Sequence, residues 1–207
     1  LCELVNRQRI FQKSYELRFM EEVMNCVQNS AFIATPGTRV YYHILRMLTE
    51  EEPDVHFQSV ISLFRENFAR FSLSDKQNIL SHALNFCIRQ IRVQTDKRAY
   101  MEEALYLYTF GIEQKIFLDR DVLSPWHFKN VIKLAFNLKR HDWAEEFIQT
   151  YARQLPEDAR ENALYYNLAD LYYQRKDYDE ALQHLNRVAF TDVHYQLNAK
   201  TLLLKIF

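Results

Sequence analysis

Residues 162–188 read NALYYNLADLYYQRKDYDEALQHLNRV, and the spacing of their apolar positions decides the fold. Tyr165, Leu168, Ala169 and Tyr172 stand at i, i+3, i+4 and i+7, which lays them along one face of an α-helix. A polar link follows, Gln174-Arg175-Lys176-Asp177, after which Tyr178, Ala181, Leu182, Leu185 and Val188 resume the helical spacing. Two helices joined by so short a link pack antiparallel. A two-helix unit of this kind cannot bury both stripes by itself, so it needs similar units on either side.

Those neighbours are present. Thirty-four residues back lie Val131, Leu134, Ala135 and Leu138, and thirty-four forward lie Ala199, Leu202, Leu203 and Ile206, so three helices carry one stripe in register. The series Tyr165, Leu168, Ala169, Tyr172, Tyr178, Ala181 resembles the tetratricopeptide repeat, whose pattern sets aromatic, Leu, small, Tyr, Tyr and Ala at these spacings. The resemblance covers about residues 124–207 and is closest over 162–195. Residues 128–161 are similar but depart: Asp142-Trp143 is displaced by one residue from the register and Glu146 falls near the place of a small residue, so the second helix is expected to be shifted. Residues 196–207 match the first helix of a further repeat. Its stripe runs to Phe207, so the natural protein is expected to continue, and the uncovered helix is open to pairing with a second copy.

Punctuation places the remaining helices. With only 2 Gly and 4 Pro, tight turns are scarce, which excludes a β-rich fold. About ten helices are expected, over residues 2–28, 38–48, 53–71, 74–94, 97–117, 125–140, 142–154, 157–175, 177–190 and 193–207. Pro36-Gly37 marks a break, Asp54 is a candidate N-cap, Ser74 with Gln77 fits a capping box, and Ser124-Pro125 supplies a cap followed by a first-turn proline. Ile79, Ala83 and Phe86 followed by Ala104 and Tyr108 read as a related hairpin with longer helices. The expected organisation is therefore a divergent N-terminal set of helices over 1–72 and repeat-like helices over 73–207, in one continuous array.

The resemblance implies an all-α fold, a right-handed α-solenoid of antiparallel helix pairs whose first helices line a concave face. By that resemblance the groove-facing residues are Tyr166, Asp170 and Tyr173, with Lys129, Ile132, Phe136 and Lys139 in the unit before. Family members that clamp the carboxylate tails of chaperones use Lys and Asn where this chain has Ile132, Phe136, Tyr166 and Asp170, which disfavours that subclass. Phe136, Tyr166 and Tyr173 fit a hydrophobic, aromatic groove for a partner's helix or strand, although the same rings would also serve to pack adjacent repeats. The expected function is a non-catalytic protein-interaction scaffold. The alternative is a regulatory or positioning domain of a larger enzyme whose catalytic part lies outside these residues.

Composition narrows the remaining classes. Lys plus Arg number 26 against 27 Asp plus Glu, with the two signs interspersed, which gives no broad basic surface for nucleic acid or an anionic membrane. Tyr106, Tyr108 and Phe110 would stack bases only beside such a surface, so they are read as packing between hairpins. No apolar run is long enough to span a bilayer. Cys2, Cys26 and Cys87 are odd in number and widely spaced, which fits buried, reduced thiols and a cytoplasmic location. Seven His are scattered; His184 and His194 come nearest to a metal spacing, but on different helices. Adjacent acids such as Glu102-Glu103 and Glu145-Glu146 point about 100° apart on a helix and read as solvated faces. Gly37 and Gly111 alone cannot build a phosphate-cradling loop. No catalytic residue, metal or cofactor is expected.

Overall fold

The computed structural model describes residues 2, 4–5, 19–50, 52–189 and 193–206, with 193–196 described in backbone only. Among these residues the protein is helical, apart from one two-residue-a-side hairpin. The chain divides into two compact units, Leu1–Phe86 and Cys87–Phe207. Sequence reading puts the change of character near residue 72; the division between units falls inside the helix Leu73–Val93.

In the first unit, α1 (Met20–Asn29) leads through a 3₁₀ turn to α2 (Pro36–Thr49), α3 (Pro53–Glu66) and α4 (Leu73–Val93). Of the first expected helix, residues 6–18 lie outside the described residues. Pro36 and Pro53 sit in the first turns of α2 and α3, where a missing N–H leaves no helical bond unmade. Val40, Ile44 and Met47 of α2 and Phe57, Val60 and Phe64 of α3 are buried, and Phe57 stacks on Phe86 of α4 with ring centroids 4.6 Å apart. Two expected caps are corrected. Glu52, not Asp54, occupies the N-cap of α3. At the start of α4 the capping pair is Ser72 with Asp75, not Ser74 with Gln77: Ser72 Oγ accepts from the Asp75 amide at 3.1 Å and donates to Asp75 Oδ2 at 2.6 Å. The other Asp75 oxygen accepts from Tyr41 Oη at 2.9 Å and so ties α4 to α2.

The second unit contains α5 (Arg98–Glu113), a hairpin of β1 (Leu118–Asp119) and β2 (Val122–Leu123), α6 (Pro125–Asn137), α7 (His141–Tyr151), α8 (Glu157–Gln174), α9 (Tyr178–Leu185) and α10 (Val193–Ile206). The helix expected to run to residue 117 ends at Glu113; a non-helical turn over 114–117 takes the place of its last turn, and the hairpin follows. Gly111 shows why the chain turns there, since a Cβ at that position would strike the ring of Phe117, which is stacked on His127 at 4.6 Å. The Ser124 cap is as expected, its hydroxyl accepting from the Trp126 amide at 3.3 Å.

α6 packs against α5, α7 and α8, and α8 in turn packs against α6, α7, α9 and α10. Of the stripe found by periodicity, Val131, Leu134, Ala135 and Leu138 are buried, as are Ala169, Ala199 and Leu202, whereas Tyr165, Leu168, Tyr172, Leu203 and Ile206 are half-buried. Around α8 one cluster joins Ala169, Leu185, Val188, Ala199 and Leu202, with Tyr165, Tyr166, Tyr173, Leu203 and Ile206 packed on it.

α5, α6 and α8 end alike, each with a lysine in the left-handed region: Lys115 at φ 56°, Lys139 at 60° and Lys176 at 64°. In each, the following amide reaches back to the last turn, as Arg140 does to Ala135 O at 2.9 Å and Asp177 to Tyr172 O at 2.9 Å. Lys139 and Lys176 are 37 residues apart, three more than the repeat, so α7 starts early. The displacement of that helix is thus three residues where one was expected, and its small residue is Ala144, fully buried.

Candidate functional site

Among the residues singled out from sequence, four share a region. Tyr166, Asp170 and Tyr173 are spaced i, i+4 and i+7 along α8, so they share one face, and all three are half-buried. Lys129, also half-buried, approaches from α6 and acts on the Asp170 carboxylate through its charge. Two lysines not singled out from sequence do the same: Lys133 from α6 and Lys205 from α10, both exposed. Lys133 is legible in retrospect, lying one turn beyond Lys129. Lys205 is not, because its position depends on α10 packing on α8.

The electrostatics of Asp170 follow from this setting. Burial is the largest influence and holds its carboxyl above the ordinary range, against a hydrogen bond from Gln174 Nε2 at 3.2 Å and the charges of Lys133, Lys205 and Lys129, which favour ionisation. Gln174 bonds the carboxylate, whereas the lysines act by charge alone.

The other three residues are placed differently. Ile132 is 1% exposed and Phe136 6% exposed, both within the core, and the Phe136 ring lies 5.9 Å from that of His141. α6 is covered from three sides, so side chains on most of its circumference become interior. Lys139 is exposed and lies past the end of α6 at the left-handed residue.

Nearby polar groups have structural roles. Arg175 donates to Glu145 Oε2 at 2.7 Å and to Asp142 Oδ1 at 2.6 Å, joining the end of α8 to α7. The His184 ring stacks on Tyr172 at 5.3 Å, and burial lowers its affinity for a proton. The side chain of His194 lies outside the described residues, so the His184–His194 pair is not described. No group of three or more His, Cys, Asp and Glu among the described residues is placed to hold a metal ion. Cys87 is buried as expected, but Cys26 is exposed on α1, which corrects its reading as a core thiol. No described helix is long and apolar enough to cross a membrane.

The first unit has a concavity of its own, a cleft of about 850 Å³ between α1, α2 and α4. Asn78, Ser81, His82 and Asn85 of α4 form a polar wall opposite Val23 and Leu45. Its groups are amides, a hydroxyl and an imidazole, in contrast to the charges around Asp170.

No protein-family model matches the chain, and no curated protein matches it.

Proposed function

We propose that the second unit is part of a right-handed α-solenoid of tetratricopeptide type, and that it acts without catalysis as a scaffold that binds a peptide or helix of a partner protein in the cytoplasm. In this reading α6, α8 and α10 are the first helices of successive pairs, and their common face is the concave one. The packing of α8 on both α6 and α10, together with its own partner α9, supports that order. So does the burial of part of that stripe in each helix, Val131, Leu134, Ala135 and Leu138 in α6, Ala169 in α8, and Ala199 and Leu202 in α10.

The observation that carries the binding reading is the half-buried row Tyr166, Asp170, Tyr173, faced by Lys129 from the preceding pair. Aromatic rings flanked by charge are the chemistry of interaction hot spots, since a ring supplies contact area at little entropic cost. In this reading Ile132 and Phe136, buried in the core, take no part in the face. The test is a Tyr166→Ala, Tyr173→Ala double variant of the full protein, compared with the parent for co-purifying proteins. Loss of a partner with an unchanged circular dichroism spectrum is expected; an unchanged partner set from a folded variant would reject the face.

A further inference from the structure

The cleft of the first unit is lined by described residues that all fall between Cys2 and Asn85, so it belongs to that unit. Asn78, Ser81, His82 and Asn85 stand at i, i+3, i+4 and i+7 along α4, which gathers them on one face. A helix face left to water ordinarily carries charged residues, yet from Gln77 to Ile88 this helix has no Asp, Glu, Lys or Arg. The same holds around the cleft. Among the described residues that line it there is no carboxylate, ammonium or guanidinium, in a chain of which 26% is charged. Tyr41 and Tyr42 line it with their hydroxyls already committed, Tyr41 donating to Asp75 Oδ1 at 2.9 Å and Tyr42 to Gln28 Oε1 at 3.1 Å. What these two residues offer a ligand is therefore ring surface, which adds to the apolar wall of Val23 and Leu45.

Gly37 points the same way. It lies in the first turn of α2, its φ is not positive, and a Cβ built there would meet nothing within 4 Å. Neither backbone nor packing calls for glycine at this position, and glycine weakens a helix relative to alanine. Its effect is to leave one wall of the cleft without a side chain. We infer that the cleft is a binding site for an uncharged small molecule with an apolar, ring-bearing body and one edge of amide, carbonyl or hydroxyl groups. The body lies against Val23, Leu45 and the two tyrosine rings. The edge exchanges hydrogen bonds with Asn78, Ser81 and Asn85, whose groups both donate and accept. The volume of about 850 Å³, with an apolar wall facing a few gathered polar groups, has the form of a small-molecule site. A charged ligand would give up its hydration and find no counter-charge, so the cleft selects against it.

The test titrates the full chain with Nile red, an uncharged dye that brightens in apolar surroundings. The dye is then displaced with three compounds that share an indole ring: indoleacetamide, indoleacetate and tryptamine. One saturable dye site is expected, from which the neutral amide displaces the dye about tenfold or more better than the anion or the cation. Gly37→Phe fills the cleft and should weaken dye and amide about tenfold or more, while Gly37→Ala should leave both within about twofold. Neither should lower the thermal unfolding midpoint, since the new side chains enter open space in a helix. Ser81→Ala with Asn85→Leu should weaken the amide about three- to tenfold and the dye little, the scale of a lost hydrogen bond. The absence of saturable dye binding, or a dye and amide indifferent to Gly37→Phe, would overturn the site. Equal displacement by the anion or the cation would overturn the selection for an uncharged ligand, and an amide indifferent to the Ser81 and Asn85 changes would overturn its polar edge. Dye lost with Tyr166→Ala, Tyr173→Ala instead would place it on the second unit and overturn the cleft.

Discussion

His43 Nδ1 lies 2.9 Å from His56 Nδ1, and His56 Nε2 lies 2.6 Å from Glu50 Oε2, so a hydrogen-bonded chain runs across the end of the α2–α3 pair. Only one of the two facing Nδ1 atoms can carry a proton, and protonating both would set two N–H groups against each other. Burial is the first cause that holds the His43 imidazole below its ordinary range, followed by the charges of His56, Arg39 and Arg46, with Glu50 acting in the opposite sense. Burial does the same to His127 and His184. The sign follows from linkage: the unfolded chain takes up these protons at a pH where the folded one resists, so stability is full above the ordinary histidine pKa of about 6.5 and is lost as pH falls below it. The thermal unfolding midpoint should therefore drop between neutral pH and about pH 5, and His43→Gln should flatten part of that slope. Midpoints that are flat or rising over this interval would contradict the burial of these rings.

Helix ends are the level at which local chemistry and the repeat pattern meet. Lys115, Lys139 and Lys176 hold left-handed backbone that glycine adopts without cost. Lys176→Gly should stabilise the protein by about 1 kcal/mol in urea unfolding, because it relieves the Cβ clash at an exposed position. Gly111→Ala should do the opposite. Its methyl group meets the Phe117 ring, which is held by stacking on His127 and cannot yield freely, so a loss of about 1–3 kcal/mol is expected in the same measurement. The helices themselves were legible because apolar periodicity is a property of the chain alone. Their ends were less so. Ser72 and Ser74 are both plausible caps in sequence, and the choice of Ser72 brings Asp75 to the Tyr41 hydroxyl, a partner 34 residues away. The β1–β2 hairpin escaped notice for a similar reason: Arg120 and Asp121, both at positive φ, make its turn without any glycine.

At the scale of the second unit, each helix is held by its neighbours, and legibility of the face depends on how many neighbours count. Tyr166, Asp170 and Tyr173 share a face by spacing alone, so one helix sufficed to group them. Ile132 and Phe136 became interior because α5, α7 and α8 all close on α6, and Lys205 joined the face because α10 packs on α8. Neither fact resides in a single helix. The same neighbour dependence can be tested at Ala169, which has no exposed surface and sits where Leu185, Val188, Ala199 and Leu202 meet. Leucine there would need space for three further heavy atoms between α8 and α10, at a cost of about 1–3 kcal/mol. If stability is passed from each helix to the next, Ala169→Leu should loosen α9 and α10 first and leave α6 and α7 protected. Hydrogen exchange followed by mass spectrometry should show faster exchange over residues 178–185 and 193–206, with residues 125–151 little changed. Uniform acceleration across all of these helices would instead mean that the unit opens as a single cooperative body, and nearest-neighbour stacking would not describe it.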